Sequence, residues 1–203
     1  MQDVKTLLAH VRHQLDEAGA EQIPMPDLEA RELTACALGI DRRLLPALGA
    51  RPVTASEREK TEALVARRLS GEPLAYVLGE WDFYGITLRV TPDVLIPRSD
   101  TERLCELAIE RVQTMQNPRV LDLCSGSGCI VLALLHEVPA AQAIAVDVSP
   151  AAVDVANGNA ERLGLSDRYR CVIGSARTDC RRRPRRVRPH GVQSALYHGR
   201  RDA

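Results

Sequence analysis

No apolar run in this sequence approaches the roughly 18–20 residues that a membrane span requires, which excludes an integral membrane protein. The N-terminus lacks the basic, apolar, small-residue succession of a signal peptide, so a cytoplasmic location is expected. None of the six cysteines (Cys36, Cys105, Cys124, Cys129, Cys171 and Cys180) forms a Cys-x-x-Cys, and no histidine stands at ligand spacing from a pair, so no metal site is expected. A disulfide framework also fits poorly with a cytoplasmic chain of 203 residues, and small buried apolar roles fit better. Lysine is nearly absent. Lys5 and Lys60 are two of 27 basic residues, a bias that suggests a GC-rich coding sequence. Net charge is absent too, but by cancellation. Residues 1–175 carry 18 basic and 25 acidic side chains, a net of −7, whereas residues 176–203 carry nine arginines against Asp179 and Asp202, a net of +7. What is present is 45% hydrophobic residues, enough to exclude wholesale disorder. The length suits one domain of about 100–150 residues and a smaller second one.

Residues 1–72 read as a small helical bundle. Val4, Leu7, Leu8, Val11 and Leu15 recur on one helical face, and Leu28, Leu33, Ala37 and Leu38 suggest a second helix opened by Asp27. Asp41–Leu48 suggests a short third. Thr54-Ala-Ser-Glu57 is a capping box that opens a helix to about Ser70, where Gly71-Glu-Pro73 stops it. Nothing in this region carries chemistry, which leaves it the role of scaffold or of partner recognition.

The period changes over residues 73–98. Tyr76-Val-Leu78, Trp81-Asp-Phe83-Tyr84 and Ile86–Val90 predict short strands broken at Gly79 and Gly85, an aromatic hairpin suited to packing between domains. Leu95-Ile-Pro-Arg98 is an extended link because Pro97 disfavours helix at Ile96. Ser99-Asp-Thr-Glu102 predicts a second capping box and a helix to about Met115. From Arg119 strand and helix alternate: Val120–Leu123, Gly128–Glu137, Ala143–Asp147, Pro150–Leu163 and Tyr169–Ile173. That succession predicts an α/β fold with a parallel, doubly wound sheet, whose ligands bind beyond the carboxyl ends of the strands.

The chemistry concentrates in Val120-Leu-Asp122-Leu-Cys124-Ser125-Gly126-Ser127-Gly128, a strand, a tight turn and a helix start. Gly126 and Gly128 allow a sharp turn and close approach of a ligand to main-chain N–H groups. Asp147 ends the next strand, 19 residues beyond Gly128, where a carboxylate can accept both hydroxyls of a ribose. A dinucleotide and S-adenosylmethionine both fit such a set. Val131 stands where a dinucleotide fingerprint wants a third small residue, and the Asp122 carboxylate would repel a pyrophosphate but attract an amino-acid ammonium. S-adenosylmethionine is therefore the expected cofactor, with Asp122, Cys124, Ser125, Gly126, Ser127, Gly128 and Asp147 as its binding residues.

Gly71-Glu-Pro-Leu-Ala-Tyr-Val-Leu-Gly79, Phe83-Tyr-Gly85, Val90-Thr-Pro-Asp-Val-Leu-Ile-Pro-Arg98 and Asp100-Thr-Glu102, followed by the glycine turn, resemble the HemK/PrmC family over about residues 1–175. Ser99 stands where that family usually has proline, and Cys124 replaces the first glycine of the turn. The resemblance implies a helical N-terminal domain that docks a peptide chain release factor and a class I, Rossmann-like methyltransferase domain. The implied activity is transfer of the sulfonium methyl to the side-chain amide nitrogen of a Gly-Gly-Gln glutamine. It implies a monomer that meets nucleic acid only through the ribosome. An amide nitrogen is a poor nucleophile and must be oriented in line with the methyl; in this family an Asn-Pro-Pro-Tyr motif does so.

This sequence has no Asn-Pro-Pro-Tyr, so no catalytic residue is assigned. Beyond Ser175 the alternation stops and Cys180-Arg-Arg-Arg-Pro-Arg-Arg-Val-Arg-Pro follows. A basic arm for nucleic acid, a disordered tail and a shifted reading frame are the competing explanations. The genetic code favours the last. Gln193-Ser-Ala-Leu-Tyr-His198, read one nucleotide later, permits Asn-Pro-Pro-Tyr-Ile, and Val187–Val192 shifted likewise permits Phe-Asp-Leu-x-x-Ser. Together these allow the family's missing strand and loop, so residues 176–203 are expected to be out of frame and the chain inactive in transfer. An incomplete sheet would also leave an edge and apolar faces uncovered. Other functions remain to be weighed: a methyltransferase for exocyclic amines of nucleic-acid bases, a non-enzymatic protein with a basic arm, and a nicotinamide-dependent oxidoreductase.

Overall fold

A computed structural model describes residues 2–175 and the backbone of a strand at residues 194–196. The chain divides into two compact units, Met1–Gly79 and Glu80–Ala203. Among the described residues no helix is long and apolar enough to cross a membrane.

The first unit is helical. α1 (Val4–Glu17) begins where the Asp3 carboxylate accepts from the Thr6 N–H at 2.8 Å, and it buries Val4, Leu7, Val11 and Leu15 on its predicted face. α2 (Pro26–Leu38) is not opened by Asp27. Pro26 occupies its first turn, Met25 is the N-cap, and the Asp27 carboxylate instead pairs with Arg12 at 3.0 Å. The expected helix at Asp41–Leu48 shrinks to a 3-10 turn at Arg42–Leu44, capped by Asp41. α3 (Ala55–Leu69) carries the predicted capping box in full, Thr54 and Glu57 each accepting from the other's backbone N–H. Inside this unit Arg68 and Glu29 form a buried ion pair at 2.6 Å, and the same guanidinium donates to the Gln22 carbonyl.

Tyr76–Leu78 is a correction. It belongs to a short helix, α4 (Leu74–Leu78), ended by Gly79 at a φ of 78°, so the helical unit runs past the expected boundary at residue 72. Ala75 and Val77 are buried alternately, which imitates a strand, but Arg67 of α3 donates to the Tyr76 and Val77 carbonyls and satisfies the helix's open end.

In the second unit β1 (Glu80–Phe83) and β2 (Ile86–Arg89) form the predicted antiparallel hairpin. Its two turn residues, Tyr84 and Gly85, both have positive φ (44° and 79°), as a tight hairpin with the native twist requires. α5 (Ser99–Val112) lacks the predicted capping box. Its N-cap is Arg98 without a side-chain bond, and Glu102 reaches instead to the Tyr84 N–H at 3.0 Å, pinning the strained hairpin turn. β3 (Arg119–Leu123), α6 (Cys129–Glu137), β4 (Gln142–Asp147), α7 (Pro150–Arg162) and β5 (Tyr169–Ile173) follow within a residue or so of their predicted bounds. Ser149 caps α7 and Pro150 fills its first turn, as the sequence predicts.

The second sheet has the order β5-β4-β3-β6, all parallel, with β6 (Ser194–Leu196) beside Val120–Asp122. The remainder of the Arg-rich segment, with the expectation that it is out of frame and disordered, lies outside the described residues; at 194–196 the backbone forms a strand instead. The chain adds β4 and β5 on one side of β3 and β6 on the other, so the order reverses at β3, the place where such sheets take ligands. Right-handed crossovers put α6 and α7 on one face. There Val120, Ala143, Ala145, Tyr169 and Cys171 share a core with Cys105 and Ile109 of α5, Leu132 and Leu134 of α6 and Ala156 of α7.

Candidate functional site

β3 delivers Asp122 to its inner face and then leaves the sheet through Cys124, Ser125, Gly126, Ser127 and Gly128. Cys124 N–H and Ser125 N–H both donate to the Val146 carbonyl, which bends the chain sharply at the end of β4. Gly126 has a φ of 55° with open space where a Cβ would stand, and that is the room a ligand needs to approach the backbone. Gly128 has a φ of 80° for a different reason: a Cβ there would meet Leu132 Cδ1 at 2.9 Å and the Tyr169 hydroxyl at 3.2 Å. Cys124, standing where the family usually has glycine, also has positive φ (62°) and so carries strain that glycine would not.

The two acids predicted from the sequence come together on this turn. Asp147 Oδ2 accepts from the Gly126 N–H at 2.9 Å and Oδ1 from the Ser149 N–H at 3.0 Å, so this carboxylate braces the turn. Asp122, 4% exposed, accepts from Ser125 Oγ at 2.8 Å. Burial, with the Asp147 charge nearby, pushes its carboxyl up to about 6 in spite of that hydrogen bond. Ser127 is 2% exposed, and its buried hydroxyl has no hydrogen-bond partner.

Two residues of the site went unpredicted. Tyr169, at the start of β5, places its hydroxyl 3.5 Å from Ser125 Oγ, and burial raises its phenol well above the ordinary range. Asn159 of α7 donates to the Ser127 carbonyl at 3.0 Å. For Tyr169 no local signal exists; for Asn159 the signal is a polar side chain in a helix interior that otherwise packs alanine and valine. Two cysteines near the turn, Cys129 and Cys105, lie in surroundings that disfavour the thiolate. Burial pushes Cys129 up to about 11 and Cys105 up to about 12. Among the described residues no group of histidine, cysteine or acidic side chains could hold a metal ion.

A parallel sheet whose order reverses at β3, a glycine turn at that strand's end and an acid at the end of the next define a Rossmann-like methyltransferase domain, and a family model described as a methyltransferase domain matches residues 120–186. A second model, the PrmC N-terminal domain, matches residues 6–79. The chain belongs to the HemK/PrmC family. It is 47% identical over 150 residues to the release factor glutamine methyltransferase of Bordetella pertussis, covering 74% of this chain and 55% of that one. With the enzyme of the same name from Bradyrhizobium diazoefficiens it shares 41% over 175 residues, 84% of this chain and 56% of the relative. The chain thus spans about half the length of the curated relatives it matches. Among solved structures, the N-terminal domain of human METTL16 in complex with SAH is 18% identical, with a TM-score of 0.42 over 55% of this chain and 46% of that one.

Proposed function

We propose that the glycine turn takes S-adenosylmethionine, and that the chain derives from an enzyme that methylates the glutamine side-chain amide of Gly-Gly-Gln in peptide chain release factors. One observation carries the cofactor: two carboxylates, Asp122 and Asp147, converge on a turn where burial already disfavours the charge on Asp122. A ligand bearing an ammonium and a sulfonium relieves that situation, whereas a pyrophosphate aggravates it. Open space at Gly126 and the orphan Ser127 hydroxyl fit a polar ligand lying against the backbone. Asp122 would hold the ammonium end, Asp147 the ribose, and Cys124 to Gly128 the backbone between them. When bound, the cofactor supplies an electrophilic methyl group. Release factors as the protein substrate are part of the same proposal, supported by the names of the relatives and by the PrmC-like N-terminal unit; a monomeric state and a cytoplasmic location complete it.

The amide-orienting Asn-Pro-Pro-Tyr is permitted by the codons for residues 193–197 only when they are read one nucleotide later. The 203-residue chain is accordingly expected to give no methylation of a release factor, and a version with one nucleotide removed near codon 175 to give it. Activity of the unaltered chain, or none from the shifted version, would overturn the reading.

Cofactor binding is tested separately, by comparing S-adenosylhomocysteine with NAD in thermal shift and titration. The nucleoside thioether should stabilise the chain and NAD should not. Asp122 must be ionised to attract an ammonium, so affinity should rise as pH rises through about 6 and then level off. Stability of the unliganded fold runs the other way. With its folded value above the ordinary 3.8, Asp122 holds a proton that the unfolded chain releases, so stability falls across about pH 4 to 6. Asp122→Asn should abolish both trends.

A further inference from the structure

We infer that Asn159 is a positioning residue that couples the β1–β2 hairpin to the glycine turn, so that a ligand at the turn and order in the hairpin reinforce each other. The inference rests on the cofactor reading above. Asn159 lies in the interior of α7 and is 1% exposed. Its Oδ1 accepts from the Arg89 N–H at 2.7 Å, and its Nδ2 donates to the Arg89 carbonyl at 3.0 Å and to the Ser127 carbonyl at 3.0 Å. One side chain thus serves both main-chain groups of the last β2 residue, as a neighbouring strand would, and binds the turn with a remaining proton. Asn157, two residues earlier, makes the same paired contact with Cys171 of β5. Only Asn159 adds the third bond.

That third bond falls on a critical peptide. The unit joining Ser127 to Gly128 has its carbonyl held by Asn159 and its N–H donated to the Ser125 carbonyl at 2.9 Å. Rotating it requires breaking both. The preceding turn is held by Asp147 through the Gly126 N–H. The loop that would grip a ligand is therefore clamped from β4 on one side and from α7 on the other, and the α7 clamp is shared with the hairpin. Replacing Asn159 leaves the buried Ser127 carbonyl and the part-buried Arg89 carbonyl and N–H without their partner. Coupling of this kind is reciprocal: whatever tightens the turn tightens the hairpin.

The test is hydrogen exchange on the full chain with and without S-adenosylhomocysteine. Ligand should slow exchange in peptides covering both residues 122–130 and residues 80–90. In Asn159→Ala the slowing at the turn should persist, while the slowing at the hairpin shrinks by about fivefold or more. Loss of packing alone would raise exchange in both states without removing the ligand-dependent difference. Slowing confined to the turn in the unaltered chain, or hairpin slowing that survives in Asn159→Ala, overturns the coupling and leaves the cofactor reading standing. Absence of slowing at the turn in the unaltered chain overturns both. Should Asn159→Ala not fold, Asn159→Asp keeps the acceptor for the Arg89 N–H, removes both donated bonds, and is expected to show the same loss.

Discussion

The helical unit and the sheet unit bury their apolar residues in different ways. In the first, Leu7, Leu15, Ile23, Leu33, Val65 and Val77 from four helices and a loop close around one centre. In the second, three helices cover one face of the parallel sheet, and the other face is thinly covered. Ala143 and Ala145 are buried, whereas Ile144 between them is 47% exposed, and its neighbours Leu121 and Val172 are only half-buried. A parallel sheet normally has helices on both faces, because each strand presents side chains alternately to each. The described residues supply one layer of helices. The first unit thus has the makings of independent stability, and the second those of half a domain.

This contrast can be broken most severely in the helical unit. Arg68→Ala strands the Glu29 carboxylate in the interior and should cost about 3–5 kcal/mol in urea unfolding, with a milder loss for the double variant Arg68→Met/Glu29→Gln. An equal loss in both would show that the charge itself contributes little. The two faces of the sheet are compared next. Leu134→Ala on the covered side should cost about 2–5 kcal/mol, while Ile144→Ala should cost under about 1 kcal/mol in the same unfolding measurement. Equal costs at the two positions would mean that the outer face is covered after all. The smallest effect is expected at the turn. Cys124→Gly removes left-handed strain but adds freedom to the unfolded chain, for a net gain of about 0.5–1 kcal/mol at the melting transition.

Much of the second unit is legible locally. The alternation from Arg119 to Ile173, Ser149 with Pro150, and the spacing of Gly126, Gly128 and Asp147 each require only a few neighbouring residues. Three of the departures share one cause. Asp27, Glu102 and Tyr76–Leu78 all have acceptable local roles, as cap, capping box and strand, and in each the local role lost to a distant partner. Arg12 takes the Asp27 carboxylate, the Tyr84 N–H takes Glu102, and Arg67 closes the helix around Tyr76. Tyr169 and Asn159 escaped for the same reason, since their partners at the turn lie 44 and 32 residues away.

The sequence by itself determined where the sheet's helices and strands run, which turn carries the glycines, and that two acids flank it. It also permits, through the genetic code, an Asn-Pro-Pro-Tyr one nucleotide out of register at residues 193–197. Tertiary structure decided how those groups behave. Whether Asp122 ionises readily depends on the water excluded by helices that pack over it. Asp147 braces the turn because folding brings the Gly126 N–H to it, and the orientation of the Ser127 carbonyl depends on a helix interior 32 residues further on. Periodicity records which face of an element is buried; only the packed chain fixes which polar group meets which across that burial, because desolvated groups must find their partners among the few that folding brings within reach.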